Sequence, residues 1–200
     1  MATEISGSTG VNKIQDGTIT NADINASAAI AGTKLVMPTG SVVQVVHYTS
    51  TVAVGTATSA EPTNSAGISL GTIHIIPKLA GSSFLVTATW SYNWSPTTNY
   101  QCNHIWLGRK IGTGNQSAPF TEIKKIFNDY EGAASGRNDP YVRPVLVFAD
   151  TPSYSLGQTI SYEQRLGSGR GSGGSPYPTI TVRNGGNMPP ANMIIQEIAG

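Results

Sequence analysis

Two hydrophobic patterns divide the chain. Over residues 14–35 (IQDGTITNADINASAAIAGTKL) the large apolar side chains recur at Ile14, Ile19, Ile24, Ile30 and Leu35, in steps of five, five, six and five residues. That step matches neither the roughly 3.6-residue period of an amphipathic helix nor the two-residue period of a strand. Most residues between them are Asp, Asn, Thr, Ser, Gly and Ala, which favour turns and bury too little surface to fold alone. A segment of this kind orders when other chains or a large scaffold cover its spaced apolar side chains.

The pattern changes at Met37-Pro38-Thr39-Gly40, where proline removes a backbone donor and glycine frees the next dihedral. This predicts an extended attachment segment over 1–38 and a head over 39–200. In the head, apolar and polar residues alternate in runs bounded by turn residues. Ser41–Thr49 is β-branched and apolar, and Ile68–Ile76 stops at Pro77. Ser83–Trp94 alternates most clearly, with Phe84, Val86, Ala88, Trp90, Tyr92 and Trp94 on one face. Further strands are predicted over Gln101–Arg109, Val142–Ala149, Gln158–Leu166, Thr179–Arg183 and Asn192–Ile198, separated by Pro- and Gly-bearing turns. Eight strands in this arrangement predict an all-β, jelly-roll-like antiparallel β-sandwich carrying an extended N-terminal anchoring arm. Only Thr121–Tyr130 (TEIKKIFNDY) has helical spacing, with Ile123, Ile126 and Phe127 on one side. Gly167–Ser175 (GSGRGSGGS) reads as a flexible loop.

Charge narrows the class of function. Charged residues make up 12% of the chain and the formal net charge is +1. That is about half the usual charged fraction of roughly 25%. There is no field to recruit nucleic acid, an anionic membrane or an acidic substrate. Low net charge also removes a defence against self-association. The single cysteine, Cys102, excludes an intrachain disulfide and fits folding in a reducing cytoplasm. The opening MATEISGSTG has neither a basic n-region nor an apolar h-region, so no secretory signal is expected. No uncharged apolar run approaches the roughly 18 residues of a membrane span, and no membrane insertion is expected.

Candidate chemistry is sparse. His47, His74 and His104 form no H-x-H or H-E-x-x-H pair. Each reads as an ordinary strand histidine, His104 being the best placed to gather with its copies around a symmetry axis. There is no G-x-S-x-G, and Cys102 reads as a small core hydrophobe. Asp129, Glu131, Asp139 and Asp150 read as scattered loop carboxylates. Neither an enzyme nor a metal site nor a cofactor is expected. The aromatics Trp90, Tyr92, Trp94, Tyr100 and Trp106 lie within seventeen residues. Trp90, Tyr92 and Trp94 share a face with Phe84 and Val86, which makes them core or inter-subunit packing. Trp94 and Tyr100 flank a Ser-Pro-Thr-Thr-Asn turn and are the candidates for contact with a host-surface glycan, an aromatic ring stacking on a sugar.

The strings DGTITNADI and AAIAGTKL resemble the attachment and shaft segments of bacteriophage virion proteins. From Gly40 the chain is similar to a β-sandwich tip domain of phage fibres and head-decoration proteins. The matching stretches are GSVVQVVHYTST, AGISLGTIHIIPKLAGSSFLVTATWSY, IWLGRKIGTGN, VFADTPSYSLGQTISYEQRLGSG and the terminal MIIQEIAG. The resemblance covers nearly all of 40–200 with loose strand signatures. It implies a homotrimer located on the virion and assembled in the host cytoplasm. It implies that Ile14, Ile19, Ile24, Ile30 and Leu35 anchor the chain to other phage virion proteins of the baseplate, tail or capsid. The leading expectation is a short tail or baseplate fibre whose head contacts the host surface. The alternative is a capsid decoration protein, a cement or head fibre, that stabilises the shell.

Overall fold

β-Branched and aromatic residues in strict alternation pack well on a pleated surface, and the head of this chain is built from such runs. The computed structural model describes residues 37–53, 55–95, 101–112, 119–131, 139–170, 179–183 and 189–200. All of them belong to the compact unit Met37–Gly200. The anchoring residues expected at Ile14, Ile19, Ile24, Ile30 and Leu35 lie outside the described residues.

The strands in chain order are β1 (Val42–Thr49), β2 (Ala57–Thr58), β3 (Ile68–Ile75), β4 (Ser83–Thr89), β5 (Tyr92–Ser95) and β6 (Gln101–Gly112). They continue with β7 (Thr121–Glu131), β8 (Asp139–Val142), β9 (Val145–Asp150), β10 (Thr159–Arg170), β11 (Thr179–Val182) and β12 (Asn192–Ile198). A first sheet has the order β1-β12-β4-β9, a second β3-β10-β6-β7, and a small third β2-β11-β5-β8. Every pairing is antiparallel. With the third sheet set aside, the remaining eight strands run first-eighth-third-sixth in one sheet and second-seventh-fourth-fifth in the other. That is the strand order of a jelly roll, so the expected all-β antiparallel sandwich is present.

The core lies between the inner faces of the first two sheets. In the first sheet one inward row is Val46, Ile195, Val86 and Phe148, and the next is Tyr48, Met193, Ala88 and Leu146. From the second come Ile73, Ile75, Ile160, Leu166, Ile105 and Leu107, all buried. Side chains of this kind contribute roughly 1.5–3 kcal/mol each when fully removed from water.

Two carboxylates are buried within the first sheet. Glu197 is 0% exposed. It accepts hydrogen bonds from Lys78 N and Leu79 N at 3.0 Å, Ser82 Oγ at 2.9 Å and Gln44 Nε2 at 2.5 Å. Donors so numerous make burial of the charge tolerable and lock the turn before β4 onto β12. Asp150 pairs with Arg109 and accepts from Tyr162 Oη at 2.8 Å. Burial and the neighbouring carboxylate push the Tyr162 phenol well above its ordinary range.

Four sequence expectations need correction. Ser83–Trp94 is two strands: after Thr89 the chain leaves the first sheet, Trp90 N bonds Pro144 O at 3.1 Å, and β5 joins the third sheet. Its alternation nonetheless holds, since Phe84, Val86, Ala88, Trp90 and Tyr92 are all buried. The predicted helix at 121–130 is strand β7. Its register against β6 shifts between Leu107 and Gly108, where Lys124 and Glu122 are the successive partners and Ile123 is the extra residue. A bulge stretches same-face spacing from two residues to three, so Ile123 and Ile126 imitate a helical turn while both pack on the core. The expected loop at 167–175 begins as strand: Gly167 to Arg170 continue β10. Asp150, Asp139, Asp129 and Glu131 lie in strands, not loops.

Candidate interaction surface

The outward rows of the first sheet alternate with the core rows given above. One row reads Val45, Gln196, Leu85, Ala149; the next His47, Ile194, Thr87, Val147; the third Thr49, Asn192, Thr89, Val145. None of these positions holds Asp, Glu, Lys or Arg. The only acidic residues of these four strands are Glu197 and Asp150, which are buried with partners. Val45 is 54% exposed, Val145 and Val147 61%, and Ile194 37%. Single exposed apolar residues are ordinary, but a sheet face without charge on which exposed Val45, Val145, Val147 and Ile194 alternate with threonines and amides is suited to association. At one end the face runs into a groove of about 200 Å³ lined by Thr89, Trp90, Arg143, Val145, Pro190 and Asn192 among others.

The outer face of the second sheet has the opposite chemistry and is covered by its own chain. One row holds Ser69, Arg165, Trp106 and Lys125. Over it lies the loop 59–66. Lys125 pairs with Glu61, and Arg165 Nη1 donates to Ala66 O at 3.2 Å. Ser168 N donates to Ala60 O at 2.9 Å. Trp106 is 1% exposed, donates Nε1 to Glu122 at 2.8 Å, and lays its indole over Gly108. Arg165 Nη2 pairs with Glu163 at 3.1 Å, and Ser69 Oγ donates to the same carboxylate at 2.5 Å. Gly167 permits the close approach of the loop, because a Cβ there would lie 2.5 Å from Ala60 O.

The histidines occupy three different settings. His47 is exposed on the uncharged face, with Thr49 Oγ1 3.4 Å from its ring. His74 Nδ1 lies 2.8 Å from Ser161 Oγ, a cross-strand pair with no carboxylate bonded to the imidazole among the described contacts. His104 is 2% exposed beneath the 59–66 loop, 3.7 Å from Glu61. Burial first, then the Lys125 charge, lower its pKa to about 4, against a smaller opposing effect of Glu61. The Lys125 hydrogen bond in turn holds the Glu61 carboxyl below its usual range. His104 therefore cannot line a symmetry axis. Among the described residues no three His, Cys, Asp or Glu side chains gather to hold a metal ion. No helix among them is long and apolar enough to cross a membrane.

Of the aromatics, Trp90 and Tyr92 are core. Trp90 Nε1 donates to Arg165 O at 3.0 Å, and Tyr92 Oη donates to Asn103 Oδ1 at 2.5 Å. The backbone of Trp94 lies in β5, whereas its side chain, Tyr100 and the side chain of Cys102 lie outside the described residues. Sequence reasoning missed the uncharged face itself. The available signal was that β1, β4, β9 and β12 contain no Lys or Arg, combined with exposed valines whose side could not be told before the strands were paired.

No family model matches the chain, and no curated protein matches it. Solved structures do. The VP2 subviral particle of infectious bursal disease virus is 16% identical, with a TM-score of 0.35, over 78% of this chain and 38% of that one. A T=1 particle derived from infectious bursal virus is 15% identical, with a TM-score of 0.39, over 88% of this chain and 41% of that one. The chain thus spans about two fifths of the length of these proteins. These structures are of infectious bursal disease virus and not of phage fibres, which overturns the bacteriophage assignment and the tail or baseplate fibre role expected from sequence. At these TM-scores the likeness carries no further argument about role.

Proposed function

We propose that this protein is a non-enzymatic structural component of a virus particle, a capsid decoration or cement protein that associates with its own copies on the virion. The observation that carries the proposal is the uncharged, uncovered outer face of the first sheet on a jelly roll whose chemistry-bearing side chains are engaged internally. Fold alone does not assign function. A sandwich whose charged side chains secure its own loops, while its valines face outward, is arranged for assembly and not for turnover. The spaced Ile14, Ile19, Ile24, Ile30 and Leu35 complete the reading as an arm that anchors the chain to the shell.

The test is particle stability. Particles assembled without this protein should lose their nucleic acid at a lower temperature than complete particles, and adding the protein back should restore the difference. Ile19→Asp with Ile24→Asp should abolish binding to the shell without lowering the melting temperature of the head. Equal stability of particles with and without the protein would remove the cement role.

A further inference from the structure

We infer that the outer face of the first sheet is a homotypic interface, occupied by a second copy of this chain. This deepens the reading above and rests on it, because it names the surface and the partner through which copies associate.

Charge is the first reason. Taking an unpaired charge out of water is costly, so an interface core is depleted of charged side chains. All three outward rows satisfy that condition across the full width of the sheet. The charged residues nearest in sequence, Glu197 and Asp150, point inward and are neutralised there by hydrogen bonds or an ion pair. The three rows offer a basic or acidic partner no charged complement, Arg143 lying in the groove at their end, whereas a second copy presents the same uncharged rows.

Shape is the second. The outward residues are Val, Ile, Leu, Ala and Thr, with His, Asn and Gln interspersed, on a regular pleat without an intervening loop. Two such sheets stack with about 10 Å between them, as the two layers of any sandwich do.

Area is the third. Strands about 4.8 Å apart, each contributing seven residues of about 3.4 Å rise, give a plan area near 450 Å². Side-chain relief raises the accessible area to roughly 600–700 Å² per copy, so a pair of copies would bury about 1,200–1,400 Å², the lower end of a standard interface. The polar threonines, Gln196 and Asn192 then meet like groups that both donate and accept hydrogen bonds.

The experiment uses the full chain. Sedimentation velocity at tens of micromolar should show an oligomer, and Val147→Glu with Ile194→Glu should convert it to a monomer, weakening association at least a hundredfold. Both positions are exposed, so the thermal midpoint of the double variant should stay near that of the parent. If it does not, Thr87→Glu at the centre of the face serves as the second variant. Mixing Val147→Glu protein with Val147→Lys protein should restore association that neither shows alone. A monomeric parent chain overturns the inference. So does an oligomer that survives the double variant with its fold intact, because association then runs through another surface. Either result leaves the particle-stability test to decide the cement role separately.

Discussion

The two sheets turn opposite chemistries outward. The second sheet presents Glu163, Arg165, Trp106, Lys125 and Glu122, and the loop 59–66 closes over much of this surface through Glu61, Ala60 and Ala66. The first sheet presents Val45, Val145, Val147 and Ile194, and they stay exposed. The second sheet pairs charged side chains within the chain; the outward valines of the first are left uncovered. Buried polar groups need defined partners in defined places, and an intramolecular loop supplies them at fixed geometry. An apolar face needs only coverage, which another molecule can supply.

The largest difference between the faces should appear on adding volume. Gly167→Ala places a methyl against Ala60 O and Pro62, both parts of the covering loop. Relieving that clash means moving the loop that carries Glu61 and Ala66, at a cost of about 2–4 kcal/mol. Ala149→Val on the exposed face of the first sheet adds more volume and should change stability by less than about 0.5 kcal/mol. Chemical denaturation of the two variants at a concentration where the parent is monomeric measures both. Equal effects would mean that the loop is not packed on β10.

What was legible in the sequence follows from the same physics. The buried face of β4 was readable because period-two alternation is imposed locally, one side chain at a time. β7 was not, because its bulge opposite Leu107 and Gly108 depends on a partner strand that local pattern does not show. Glu197 reads as an ordinary polar residue in MIIQEIAG; its donors lie at positions 44, 78, 79 and 82, far away in sequence. The glycines of GSGR suggested flexibility by composition, yet Gly167 is required by close packing. Aromatic alternation placed Trp90 and Tyr92 in core or inter-subunit packing, and the structure buries both in the core. The face proposed as an interface became visible only once four strands were aligned, since each contributes just three of its residues.

A smaller effect belongs to the covered face alone. His104 remains neutral in the folded protein down to about pH 4, whereas in the unfolded chain an imidazole takes up a proton near pH 6.5. Its folded-state pKa is therefore depressed, so the stability it preserves is complete above about 6.5 and is lost as pH falls toward 4. Glu61 and Lys125 are the charged groups that face it. Between pH 7 and pH 5 the parent should lose about 1–2 kcal/mol from this group. His104→Gln should flatten that slope. An unchanged slope would place the pH dependence elsewhere.

The smallest expected change in stability tests the open face. Val147→Thr replaces a methyl by a hydroxyl at nearly constant volume. At 61% exposure the new hydroxyl remains hydrated in the monomer, and folding stability should move by less than about 0.5 kcal/mol. The same exchange at the fully buried Val86 leaves a hydroxyl without water and should cost about 1–3 kcal/mol. Association separates these outcomes further. If Val147 faces a second copy, its threonine hydroxyl loses water when two chains meet, and the association constant should fall roughly tenfold, equivalent to about 1.4 kcal/mol. A Val147→Thr chain that is as stable as its parent and associates as tightly would show that β9 remains in contact with water in the assembled protein, and the homotypic contact would then have to lie on a surface that excludes it.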